Sequence, residues 1–281
     1  MRDLSKDTRW LAINSATVKP WTLEQLVEGC VRAGITAIAP WRDIVQATGV
    51  EKAGQLIRAA GLTVTCLCRA GLFPATDEAA RRAALDDNRR AVDEAAAIGA
   101  RSLVLIAGGL PKGSKDIAGA WQQVHDGIAA LRPYALDAGV PLAIEPLHPM
   151  YAADRACVNT LEQALDLCDE LGDGVGVAID TYHVWWDPKL FDQIARAGQG
   201  MRILAHHICD WLVPTRHMLL DRGMMGDGVI DFRPIRRAIE AAGYTGPQAV
   251  EILSETWWKQ PGEDVLKTCI ARYQSLCADG N

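Results

Sequence analysis

The sequence predicts an α/β fold, a single (β/α)8 TIM barrel, and three observations carry that prediction. Eight short apolar runs recur along the chain, each followed by a longer segment whose apolar residues have helical spacing. The runs are apolar almost throughout rather than alternating, as parallel strands covered on both faces should be. Eight such units close naturally into a barrel of about 250 residues. The chain has 281 residues, 49% of them hydrophobic, and one domain is expected over 1–281.

In chain order, the first strand is expected at 10–14 (WLAIN) with its helix at 22–33. The second lies at 37–41 (AIAPW) with a helix at 51–60, and the third at 63–68 (TVTCLC) with a helix at 77–98. The fourth, 102–108, feeds a helix at 115–138, and the fifth, 141–146 (PLAIEP), one at 160–171. Strands at 174–180 (GVGVAID), 203–208 (ILAHHI) and 248–253 (QAVEIL) are followed by helices at 189–198, 231–242 and 262–276. GAR (99–101), AGV (138–140) and AAGYTG (241–246) end helices, with glycine near the C-cap. A doubly wound open sheet would need a phosphate-binding glycine turn after the first strand, and AINSATVKPW has none. GGLPKGSK (108–115) lacks P-loop spacing and reads as an ordinary strand-to-helix loop.

Composition narrows the function. The net charge is −6 and no Lys/Arg cluster is present, which argues against a nucleic-acid partner. No apolar run approaches the ~20 residues that span a membrane, and the N-terminus has no apolar signal core. The eight cysteines form no C-x-x-C pair and sit mostly in apolar patterns, so a reduced, cytoplasmic protein is expected.

In a barrel the active site forms at the C-terminal strand ends. Those ends carry Trp41, Arg42 and Asp43, then Arg69, then Glu145 followed by His148. Asp180 with His183, His206, His207 and Asp210, and finally Glu251, complete the series. Each alone is ordinarily a core or surface residue. Four successive strands ending in metal-capable groups are different, because burying an unpaired carboxylate costs several kcal/mol. A divalent cation removes that cost. Two glutamates, an aspartate and an imidazole favour Mn2+, with Mg2+, Co2+, Fe2+ or Zn2+ also compatible, over a cysteine-lined structural zinc site.

IEPLHP (144–149), IDTYH (179–183), HHICD (206–210) and VEI (250–252) together make the chain resemble the sugar phosphate isomerase/epimerase family of xylose-isomerase-like barrels. The resemblance implies a metal bound by Glu145, Asp180, His207 and Glu251. It implies His183 and Arg216, in VPTR, as substrate contacts, and Glu145 and Glu251 as the acid/base pair. The implied reaction is epimerisation or isomerisation of a keto-sugar, sugar acid or sugar phosphate by proton removal α to a carbonyl, through a metal-stabilised enediolate. His206 and His207, as neighbours on a strand, point to opposite faces; the resemblance favours His207 as the ligand, and Ala205 would then share its inward direction while His206 faces the helices.

His148 and Trp186 are further candidate substrate contacts, although Trp185 and Trp186 would serve equally as rim packing. Trp257 and Trp258 pose the same choice. Arg42, Arg69, Arg155 and Arg216 fall in strand-to-helix loops and suit an anionic substrate. RGMMGDGVIDF (222–232) reads as a loop closing over the mouth, with Gly223, Gly226 and Gly228 supplying flexibility. The competing readings are a lyase or dehydratase acting on a 3-keto sugar or glycoside, and a non-catalytic metal-binding partner subunit. A three-zinc DNA-repair endonuclease would need histidines on the first strands, where none occur. A small carbohydrate is the expected partner, and a homodimer or homotetramer the expected assembly.

Overall fold

The computed structural model describes residues 7–276. The wall starts with β1 (Leu11–Asn14) and β2 (Ala37–Ala39), followed by β3 (Thr63–Val64), β4 (Leu67–Gly71) and β5 (Leu103–Ile106). It continues with β6 (Leu142–Glu145), β7 (Val175–Asp180), β8 (Ile203–Ile208) and, after a small hairpin of β9 (Asp210–Trp211) and β10 (Arg222–Gly223), ends in β11 (Gln248–Val250). Spatially the wall runs β3-β2-β1-β11-β8-β7-β6-β5-β4, all parallel, a nearly closed barrel.

The third predicted strand is split. β3 pairs with β2, and β4 pairs with β5. Between them Thr65 donates its N–H to Ile38 and Leu67 donates to Ser102, so the break lies where the chain crosses from one neighbour to the other and closes the ring. The eighth strand stops at Val250 rather than at 253. Around the wall lie α1 (Leu23–Arg32), α3 (Val50–Ala59), α4 (Glu78–Ala97), α5 (Ile117–Asp137), α6 (Leu161–Leu171), α8 (Leu190–Gln199), α9 (Phe232–Ala241) and α10 (Gly262–Leu276). Two short helices, α2 (Arg42–Thr48) and α7 (Thr181–Val184), follow strand ends directly, and the apolar periodicity gave no sign of either. Side-chain caps set five of the starts: Thr22 with Gln25 and Thr160 with Gln163 form capping boxes, and Asp77, Asp116 and Asp231 cap α4, α5 and α9. None of the described helices is long and apolar enough to cross a membrane.

Along each strand the side chains alternate between two cores. Leu11, Ile13, Ile38, Leu103, Leu105, Ile144, Val177, Ile179 and Val250 pack outward against the helices. The interior is filled by short residues, namely Ala12, Ala39, Ala143, Ala178, Ala205 and Ala249, with Val104 and Ile106. Two residues beyond six of these alanines stand Asn14, Trp41, Glu145, Asp180, His207 and Glu251. The pleat therefore turns all six toward the barrel axis at its C-terminal mouth. His206 has the opposite parity and is buried on the helix side, its ring 6.3 Å from that of Tyr244.

Candidate metal centre

Asp180 ends β7 and also begins α7. Its Oδ1 accepts the Tyr182 N–H at 2.9 Å, which leaves Oδ2 facing the axis. Glu251 is held in the same manner: Oε1 accepts from Asn14 Nδ2 at 2.7 Å and from Trp41 Nε1 at 3.2 Å, and Oε2 points inward. Glu145 Oε1 lies 3.1 Å from His207 Nδ1, and Glu251 Oε2 lies 3.7 Å from the same nitrogen. One ligand atom from each of Glu145, Asp180, His207 and Glu251 falls within 4.8 Å of all the others. All four residues are at most 5% exposed.

The cluster contains a fifth charged member that the sequence reading missed. Arg222, at the start of β10, is 4% exposed. Its Nη1 lies 2.9 Å from Asp180 Oδ2 and 3.2 Å from Glu251 Oε2, and its guanidinium carbon sits 4.5 Å from the centre of the Tyr182 ring. Three carboxylates around one guanidinium leave negative charge in a dry site. Protons absorb part of it. Burial pushes Glu145 up to about 7 against the pull of His207. Burial opposes a charge on His207, yet Cys66, Glu251 and Glu145 together raise its pKa. An O,O,O,N donor set that must otherwise hold protons fits a divalent cation, which would displace them. Glu145, Asp180, His207 and Glu251 are the residues that could hold it.

His183 lies on α7 beside this set. Its Nδ1 lies 3.1 Å from the His148 backbone N–H, and its Nε2 lies 3.2 Å from Arg222 Nη2 and 3.7 Å from Asp180 Oδ2. Burial chiefly, with Arg222 assisting, drives its pKa down to about 3, so the ring is neutral. A cavity of about 370 Å³ opens over the cluster, lined among others by Trp41, Arg69, Tyr151, Arg155, His183 and Arg222.

Of the other expected contacts, Arg69 reaches this cavity and four do not. Arg42 turns away because α2 carries it to α4, where it pairs with Glu94 at 2.6 Å and Asp87 at 2.8 Å. Arg216 is 65% exposed and pairs with Asp221, while Arg222 takes the inward position. His148 stacks between Trp186 and Trp211 (ring centres 5.6 and 4.6 Å), so it supports His183 from behind. Trp186 donates its indole N–H to the His183 carbonyl at 2.8 Å, and Trp258 donates to Ala16 at 2.6 Å: both are rim packing. The expected glycine lid is also corrected. Asp210 accepts the backbone N–H groups of Gly226, Gly228 and Ile230, and Met224 and Met225 are fully buried. A Cβ at Gly228 would meet the Trp211 carbonyl oxygen at 2.1 Å, so glycine there permits close approach.

Arg42→Ala is therefore expected to lower stability by about 3 kcal/mol, through the Glu94 carboxylate it leaves buried and unpaired, with KM unchanged. Denaturant titration together with initial rates checks both halves.

A family model for the xylose isomerase-like TIM barrel matches residues 27–274. The chain belongs to that family. Among solved structures, this xylose isomerase-like barrel is similar to protein SMc04130 from Sinorhizobium meliloti 1021, with 62% identity, TM-score 0.96, and 97% of this chain and 100% of that one covered. It is similar in fold to the IolI protein, solved with a zinc atom bound (19% identity, TM-score 0.83, 95% and 97% covered). It is also similar in fold to the 3-keto-D-glucoside 4-epimerase YcjR of E. coli (19% identity, TM-score 0.74, 92% and 97% covered). No curated protein matches the barrel in sequence.

Proposed function

We propose that this barrel is a divalent-metal-dependent isomerase or epimerase that moves a proton at the carbon next to a carbonyl in a keto-sugar. The observation that carries the reading is the convergence of Glu145, Asp180, His207 and Glu251 on one point at the cavity floor. Similarity in fold to an epimerase of 3-keto-glucosides and to a zinc-bound barrel supports it. A bound cation, Mn2+ by preference for this donor set, would supply Lewis-acid stabilisation of the charge that develops on the substrate oxygens. Glu145 would take the proton and Glu251 would return one from the other side of the substrate, each carboxylate acting in turn as base and acid. His183, in the cavity wall, would contact the substrate, and Trp41 and Asn14 would hold Glu251 in place.

Arg69 and Arg155 narrow the substrate to one bearing a carboxylate or phosphate. Arg42, Arg222 and Arg236 each lie against a carboxylate. Arg69 has no carboxylate within 4.0 Å among the described residues, and stacks on Trp41 with its guanidinium carbon 6.0 Å from the ring centre. Burial, with Arg155 and Arg42 nearby, lowers its pKa. A guanidinium kept half-buried near two other cations is suited to an anion that arrives with the substrate. We place the reaction in the cytoplasm, where the seven cysteines among the described residues, all buried and free, would stay reduced.

In deuterated water with Mn2+, a phosphorylated or carboxylated keto-sugar is expected to gain label next to its carbonyl, and chelation to stop the exchange. Its kcat/KM should exceed that of the neutral sugar, and Arg69→Met should erase the difference by raising KM. No exchange on any keto-sugar would refute the reading, and equal use of neutral and anionic sugars would refute the anion preference.

A further inference from the structure

The barrel interior holds a second donor set that the proposed reaction does not use. Cys66, in the break between β3 and β4, and Cys68, on β4, both pack into the interior core, and both are at most 2% exposed. Their sulfurs lie 3.9 Å apart, and Cys66 Sγ lies 3.3 Å from His207 Nε2. The three donor atoms all fall within 4.8 Å of one another. Zinc–sulfur bonds of about 2.3 Å and zinc–nitrogen bonds of about 2.0 Å set the spacings within one tetrahedral site. Two thiolates then lie about 3.8 Å apart, and a thiolate and an imidazole about 3.5 Å apart. The observed spacings are close to both. Cys68 also lines the cavity, which provides a path for an ion from the mouth.

We propose that Cys66, Cys68 and His207 form a second cation subsite, selective for thiophilic ions such as Cd2+ or Zn2+, whose occupation withdraws His207 from the carboxylate centre. The ring addresses the two sets with different nitrogens: Nδ1 faces Glu145 and Nε2 faces Cys66. A neutral imidazole has one lone pair to donate. When Nε2 binds a soft ion, the ring proton sits on Nδ1, directed at Glu145, and the carboxylate centre loses its only nitrogen donor. Any protons held on the two sulfurs and on His207 Nε2 leave as the ion binds, and nothing is oxidised. Hard ions such as Mg2+ and Mn2+ gain little from thiolate and stay with the oxygens. Excess soft metal thus antagonises hard metal through one shared ring. The antagonism rests on the divalent centre proposed above, and the thiol subsite does not.

The test is a Cd2+ titration of the metal-free full chain, followed by the ultraviolet thiolate-to-cadmium absorption. Mn2+ affinity is read in parallel from the electron paramagnetic resonance of free Mn2+. Wild type should show absorption that saturates at one equivalent and is missing in Cys66→Ser/Cys68→Ser. That equivalent should weaken Mn2+ binding at least about tenfold more in wild type than in the double variant. Unimpaired Mn2+ binding by the variant without cadmium shows that it is folded. If the variant fails to bind Mn2+, Cys68→Ala, which keeps the Cys66–His207 contact, carries the same comparison. Absorption that is absent in wild type, or undiminished in the variant, overturns the subsite. Equal weakening of Mn2+ in both proteins overturns the shared ring. Absorption in a wild type that binds no Mn2+ supports the thiol subsite and sinks the divalent centre instead.

Discussion

Glu145→Gln and Glu251→Gln are each expected to lower solvent exchange of the proton next to the substrate carbonyl by a factor of roughly 10³ or more. An amide keeps the shape of the side chain but neither accepts that proton nor brings the negative charge that holds a cation. Both positions are rigid, Glu251 through Asn14 and Trp41 and Glu145 against His207, so the loss comes from chemistry rather than from misplacement. The pH dependence follows from the same residue. Burial lifts Glu145 to about 7 in the cation-free chain. Below that pH Mn2+ must displace a proton from it, so affinity falls up to about tenfold per unit as the pH drops; Glu145→Gln weakens binding and flattens that slope. Deuterium incorporation followed by NMR, and Mn2+ titrations at several pH values, check the two halves. Either variant exchanging at the wild-type rate would remove its residue from the acid/base pair.

Arg222→Met carries the second large effect, and it has opposite signs in two measurements. Among the described residues the guanidinium is the one permanent cation touching Asp180 and Glu251, and all three side chains are buried. Without it the two carboxylates face each other in a dry site, and the cation-free protein should lose about 3–5 kcal/mol of stability. Mn2+ should nevertheless bind more tightly, because a positive charge beside the centre has gone. Saturating Mn2+ should then restore part of the lost stability, since a ligand that binds only the folded state stabilises it by an amount that grows with the logarithm of its concentration relative to Kd. Denaturant unfolding with and without Mn2+ measures both. Unchanged stability in the absence of metal, or weaker Mn2+ binding, would contradict the role given to Arg222.

The positions of Glu145, Asp180, His207 and Glu251 were readable because a strand has a period of two. Once the apolar runs are placed, the last residue with inward parity is determined, and a carboxylate or imidazole there has nowhere else to point. The same rule would have found Asn14, which follows Ala12 as Glu145 follows Ala143, had the interior alanines been used as markers. Arg222 gave no such sign. It enters from a hairpin outside the wall, anchored by Asp210, and nothing local distinguishes it from Arg216 six residues earlier.

What the chain determined by itself is therefore whatever depends on neighbours in sequence: the eight strand-helix units, the helix caps, and which strand residues face the axis. Only the closed barrel decided the rest. Ring closure brings strand ends separated by more than 200 residues to within hydrogen-bonding distance, as Asn14 and Glu251 show at 2.7 Å. It also decides which arginine is captured by a carboxylate on a neighbouring element, as Arg42 is by Glu94, and which stays open to the cavity, as Arg69 does. Charge pairing depends on distances in space that hydrophobic periodicity does not encode.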